Sequence, residues 1–171
     1  NIQKDGTFSV VPRIYGGVTS PAELRRIADV AEKYDVPMVK VTGGQRIDLL
    51  GIRKADLPGV WADLGMPSGH AYGKSIRMVK TCVGSEHCRF GTQQSMSMGV
   101  ALEKMLYGMG SPHKVKLAVS GCPRNCAEAG IKDVGVIGVD SGWEIYVGGN
   151  GGIKTEDAQF LVKLKTPAAV L

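Results

Sequence analysis

The sequence predicts an α+β fold in two halves. Three observations carry this: a β-α-β-β pattern over residues 8–50, a break rich in Gly and Pro at 65–69, and a mixed run of strands and helices beyond it that holds all four cysteines. The boundary falls near residue 70, which divides the chain into segments 1–70 and 71–171.

Residues 8–14, Phe-Ser-Val-Val-Pro-Arg-Ile, read as a strand. Pro12 has no amide proton for a ladder and moves this strand toward a sheet edge. Gly16-Gly17 turns the chain into a helix that is clearly marked. Ser20 is its N-cap, Pro21 its first residue and Glu23 the reciprocal capping residue, and Leu24, Ile27, Ala28 and Ala31 follow at helical spacing. Asp35-Val36-Pro37 stops it. Residues 38–41 alternate as a strand, and Gly43-Gly44 turns them into a hairpin partner at 46–50. A second short helix is expected over 54–64, with Asp56 and Pro58 near its start.

In the second half, 75–80 reads as a strand and about 92–107 as a long helix, with Met96, Val100 and Met105 as packing residues. Residues 114–120 alternate strictly. Val115, Leu117 and Val119 take one face, and Lys114, Lys116, Ala118 and Ser120 the other, so two lysines point the same way. Residues 134–139 and 143–147 form a hairpin around Asp140-Ser141-Gly142, and 156–163 read as a closing helix. There is no internal repeat.

Composition narrows the function. With 171 residues, 43% apolar and 22% charged, the chain can bury a core without disulfides. No apolar run approaches the roughly 20 residues that span a bilayer, and Asn1-Ile2-Gln3-Lys4-Asp5 lacks the order of a signal peptide, so no membrane association is expected. An excess of 21 Lys and Arg over 16 Asp and Glu is too small and dispersed to imply nucleic acid, and 6% aromatics make a poor stacking platform; small anions are the better partners. The 24 glycines mark places where backbone turns sharply or approaches a bulky ligand. The chain lacks an initiator Met and reads as a piece of something longer.

The cysteines fall as Cys82-x5-Cys88 and Cys122-x3-Cys126, with 33 residues between the pairs. Two disulfides, a four-thiolate zinc site and an iron–sulfur cluster are the readings to weigh. A reducing, cytoplasmic setting disfavours disulfides, and the first pair is wider than a zinc knuckle. A cluster tolerates ligands from two separate loops and fits better. Ser120-Gly121 before Cys122 and Pro123 after it form a constrained turn that could aim N–H groups at sulfur, and Arg89 and Arg124 stand beside cysteines where a positive charge would offset an anionic cluster. Three histidines, His70, His87 and His113, carry no assigned role. The glycine-rich 148–152 lacks a Walker lysine and reads as a turn.

The segment from Ser120-Gly121-Cys122-Pro123-Arg124-Asn125-Cys126 to Asp133-Val134-Gly135-Val136 resembles the signature of the siroheme-dependent nitrite and sulfite reductases, and Cys82-Val83-Gly84-Ser85-Glu86-His87-Cys88 resembles that family's first cysteine pair. The resemblance covers nearly the whole chain. It implies a ferredoxin-like half-domain over 1–70 followed by a mixed α/β siroheme and iron–sulfur domain over 71–171. Within the family, His113-Lys114-Val115-Lys116-Leu117-Ala118-Val119 running into Ser120 resembles the C-terminal part of the large subunits of assimilatory NAD(P)H nitrite reductases.

The resemblance further implies that Cys82, Cys88, Cys122 and Cys126 hold a [4Fe-4S] cluster, and that Cys126 also bridges to the siroheme iron. Siroheme carries eight carboxylates, for which Arg46, Arg89, Arg124 and Asn125 are the expected partners. Arg13, Arg77, Lys114 and Lys116 look like the basic residues that hold the substrate anion and stabilise charge as its bond to oxygen breaks. The implied reaction is six-electron reduction of nitrite to ammonium, with electrons from NAD(P)H through FAD domains outside this chain, and with a small subunit as a further partner.

Three alternatives accompany this reading: reduction of sulfite to sulfide, a pure iron–sulfur electron-transfer module, and a zinc-stabilised binding domain. Because fused two-repeat relatives draw cysteines from one repeat and basic residues largely from the other, a single repeat is expected to pair about a two-fold axis, each chain completing the other's site. Residues 41–46, Val-Thr-Gly-Gly-Gln-Arg, depart from relatives that have arginine before the glutamine.

Overall fold

The computed structural model describes residues 1–171 apart from Tyr72. Strand β1 (Phe8–Val10) leads through a short 3-10 turn at Tyr15–Gly17 to helix α1 (Pro21–Lys33), then β2 (Met38–Val41), β3 (Ile47–Ile52) and α2 (Leu57–Leu64). The capping box forms as predicted: Glu23 N–H donates to Ser20 Oγ, and the Glu23 carboxylate accepts from the Ser20 N–H. The three strands make an antiparallel sheet in the order β1-β3-β2. β1 is an edge strand, as Pro12 requires, and is shorter than the expected 8–14: Pro12 makes only an isolated bridge to Ser68.

The second half contributes β4 (Ile76–Thr81), a four-residue helix α3 (Gly84–His87), α4 (Ser95–Leu106), β5 (Val115–Ser120), β6 (Val134–Val139), β7 (Gly142–Val147), the two-residue strands β8 (Asn150–Gly151) and β9 (Thr155–Glu156), β10 (Gln159–Leu164) and a terminal α5 (Pro167–Val170). Its main sheet runs β10-β7-β6-β5-β4, with β4, β5 and β6 parallel and the rest antiparallel. Two expectations are corrected. Residues 156–163 are not a closing helix: β10 pairs with β7 along its length, Phe160 opposite Tyr146 and Leu164 opposite Trp143. In α4 the buried apolar residues are Met98 and Leu102, whereas Met105 is 49% exposed.

Alternation along β4 joins the halves. Met78 packs into the core of the first half with Val10, Ile27, Leu49, Val60 and Leu64, while Val79 packs into a second core with Met98, Leu102, Leu117, Val119 and Trp143. A buried ion pair crosses the same seam. Arg13 donates to Glu103 Oε1 at 2.8 Å, and Glu103 Oε2 accepts from the N–H groups of Gly16 and Val79. Helix α4 covers the odd face of β4 and β5. Their even face, with Met78, Lys80 and Lys116, is left to line a cavity.

Candidate functional site

Parallel strands end together, and β4 and β5 both end in cysteine. Cys82 follows β4 and Cys122 follows β5 after Gly121, and their companions Cys88 and Cys126 lie in the loops that leave these strands. All four thiols are free; Cys122 is buried, Cys82 and Cys88 half-buried, Cys126 exposed. Gly121 N–H donates to Cys82 Sγ at 3.1 Å, a backbone N–H aimed at sulfur.

The loops approach so closely that side chains are excluded. A Cβ on Gly121 would sit 2.6 Å from Gly84 Cα and 2.8 Å from Gln93 O, and Gly84 itself takes φ +56. The turn from Cys122 to Cys126 is held from within: Asn125, at φ +56, accepts on Oδ1 from the Ser120 hydroxyl and the Gly130 N–H, and Ser120 Oγ accepts from the Ala127 N–H. Among the described residues no three His, Cys, Asp or Glu side chains gather as ligands of a single ion.

Beside these loops, on the even face of β4 and β5, lies a cavity of about 420 Å³. Six cations line it: Arg46 from the β2–β3 turn, Arg77 and Lys80 from β4, Lys114 and Lys116 from the start of β5, and Lys132 before β6. No Asp or Glu is among its described lining residues. The register of β4 against β5 shifts between Ile76 and Val79, and a bulge re-aims side chains, which lets the sequence neighbours Arg77 and Met78 both line the cavity. Arg77 is steadied by donating to His70 O at 2.9 Å. Asp133 Oδ2 accepts from the Lys116 N–H at 2.8 Å, anchoring the start of β5 to the segment that brings Lys132.

One carboxylate sets the rim nearest the cysteines. Glu128, two residues past Cys126, pairs with both Lys80 (3.1 Å) and Lys132 (3.0 Å), and the Lys132 and Lys80 ammonium groups hold its carboxyl below the ordinary value.

The structure therefore gathers Arg46, Arg77, Lys114 and Lys116, and adds Lys80 and Lys132, which sequence reasoning missed. A signal for Lys80 existed: it alternates with Met78 and lies two residues before Cys82. Arg13 is corrected. Its guanidinium is 1% exposed, committed to Glu103 and to the carbonyls of Ser68 and Gly69, and does not line the cavity. Arg89 and Arg124 are also elsewhere: they stack on the Phe90 ring at 4.5 and 3.8 Å from its centroid, closing one cysteine loop over the other. Asn125 holds its own turn. One copy carries both the cysteines and the basic residues, and none of the four cysteines is among the described lining residues of the cavity.

Four thiols on converging glycine-lined loops lie near a cavity whose charged lining residues are all cations. Residues 1–66 match the nitrite/sulfite reductase ferredoxin-like half domain and residues 72–171 the nitrite and sulphite reductase 4Fe-4S domain, and the chain belongs to this family. It is 66% identical over 171 residues to the nitrite reductase [NAD(P)H] of Bacillus subtilis, covering 100% of this chain and 21% of that protein. To the large subunit of the Klebsiella oxytoca enzyme it is 54% identical, over 92% of this chain and 17% of the subunit. An assimilatory-type sulfite reductase of Nitratidesulfovibrio vulgaris is 40% identical, over 88% of this chain and 70% of its own length. The fold recurs in the structure of the Mycobacterium tuberculosis NirA protein, with a TM-score of 0.83, 22% identity, and coverage of 99% of this chain and 34% of that one. The chain thus spans about a fifth of the length of its nitrite reductase relatives.

Proposed function

We propose that this chain is the siroheme- and cluster-binding module of an assimilatory NAD(P)H nitrite reductase, reducing nitrite to ammonium with electrons delivered by flavin domains of the parent protein, in the cytoplasm. The observation that carries the reading is the six-cation cavity beside the four-cysteine loops. The donor set fits both groups. Four free thiols with an N–H aimed at one sulfur suit a [4Fe-4S] cluster held by Cys82, Cys88, Cys122 and Cys126, and a cationic cavity with no Asp or Glu among its described lining residues suits a tetrapyrrole rich in carboxylates.

When bound, the two groups would supply electrons and an iron at which the anion is held. The chain's own residues have other tasks. In this reading Arg46, Lys80 and Lys132 would bind cofactor carboxylates. Arg77, Lys114 and Lys116 would attract a small anion and hold protons at their nitrogen atoms next to it, where charge on oxygen develops. Arg13, by contrast, ties the first half to Glu103 of the second.

Sulfite reduction is the second reading, favoured by the 40% identity to a sulfite reductase of which the match covers 70%. We further propose a self-paired assembly, in which a second copy covers open sheet edges. The test is to produce the chain anaerobically with siroheme supply and to measure its absorption spectrum with iron, zinc and acid-labile sulfide. Tetrapyrrole bands with iron and sulfide are expected, and kcat/KM for nitrite is expected to exceed that for sulfite. Cluster without tetrapyrrole would leave an electron-transfer module, and zinc alone would overturn the reading.

A further inference from the structure

One side chain joins the β2–β3 turn to the end of β4. Gln45 Nε2 donates to Thr81 O at 2.6 Å, and Thr81 N–H donates to Gln45 Oε1 at 2.8 Å, so a single carboxamide satisfies both backbone groups of one residue. β4 is the outer strand of its sheet, with β5 on one side only, and the Gln45 amide occupies its open side in place of a further strand. Gln45 holds φ +57, a left-handed conformation that residues with a side chain rarely adopt. The backbone passes beneath it at Gly17, where a Cβ would come within 2.7 Å of Gln45 Oε1, and the Thr81 hydroxyl donates to Gly16 O.

The residues next to this clamp belong to the site. Arg46 follows Gln45 and lines the cavity, its guanidinium lying so close over Gly44 that a Cβ there would be 3.3 Å from Nε. Cys82 follows Thr81, and its N–H donates to Val119 O at 3.3 Å. We propose that Gln45 is a positioning residue for the anion cavity, its carboxamide holding the β2–β3 turn, and with it Arg46, in register with the strand that delivers Cys82. Within the turn Thr42 N–H donates to Arg46 O at 2.8 Å and Arg46 N–H donates to Thr42 Oγ1 at 3.3 Å, and the Gln45 carboxamide adds the tie from this turn to β4. The proposal rests on the reading of the cavity as a tetrapyrrole-carboxylate site.

A double-mutant cycle tests it in the cofactor-free chain, with the fluorescence of uroporphyrin, an octacarboxylate porphyrin, as the binding readout. Gln45→Met and Arg46→Met are each expected to weaken binding roughly tenfold with unchanged far-UV circular dichroism, and the double variant to bind no more weakly than Arg46→Met alone. Additive losses would overturn the proposal, because Gln45 would then act on the fold at large and not through Arg46. Should Gln45→Met not fold, Gln45→Glu takes its place, keeping the acceptor for Thr81 N–H and losing the donor to Thr81 O. A wild-type chain that does not bind the porphyrin would overturn the reading of the cavity, and the proposal with it, whereas wild-type binding with an additive cycle overturns the proposal alone.

Discussion

Arg13 shows what a residue's neighbours in sequence cannot disclose. The resemblance implied a role for it at the substrate anion, but its partner Glu103 lies 90 residues away on α4, and no local pattern announces that meeting. Burial pushes the Glu103 carboxyl above its ordinary value, while the N–H groups of Gly16 and Val79 and the Arg13 guanidinium pull it down. The folded state therefore keeps its proton to higher pH than the unfolded chain, and stability falls as pH rises from about 4.5 through the raised value. Arg13→Met removes one of the forces that limit the rise. We expect it to lower stability by about 3–5 kcal/mol at neutral pH, less at acid pH, and Arg13→Met/Glu103→Met to be more stable than Arg13→Met alone. Urea denaturation at pH 5 and pH 8 checks both; a stability loss independent of pH would mean that Glu103 is not the partner that matters. The cations were more legible. Alternation put Lys114 and Lys116 on one face and the family resemblance gave that face a role, whereas Lys80 and Lys132 were missed because their convergence needs the β4–β5–β6 ladder.

At the scale of elements, the first half was written almost completely in local signals: a capping box, a Pro at the first helical position, a two-glycine turn. These report on short-range geometry, and the structure reproduces them. β10 was missed for a physical reason. Phe160, Leu161 and Val162 are all exposed, at 56%, 60% and 38%, so no face of the segment is buried and neither a period of two nor of 3.6 emerges. What makes it a strand is the open edge of β7, which sequence does not display. Gly142 is the hinge of that pairing. It takes φ +133, and a Cβ there would run into Leu164 O. Gly142→Ala is thus expected to detach β10 from β7 while leaving the cavity intact. Hydrogen exchange should show lost protection confined to residues 142–147 and 159–164; protection lost evenly across the sheet would argue that β10 is integral to it.

At the scale of the molecule, each sheet ends in an edge strand that natural proteins ordinarily blunt. In β2 all four residues are exposed, with Met38 at 56%, Val39 at 48% and Val41 at 77%, and only Lys40 is charged. The proposed self-pairing would cover these edges. Sedimentation velocity is expected to show a concentration-dependent dimer, and Val41→Lys, which puts a charge on the most exposed position of β2, to shift it toward monomer at least several-fold in Kd, since a buried unpaired charge costs several kcal/mol. Val41 lies outside the cavity lining, so porphyrin binding should survive the substitution. A cofactor-loaded chain that is strictly monomeric and active would remove the paired assembly and leave the single-copy site as the whole functional unit.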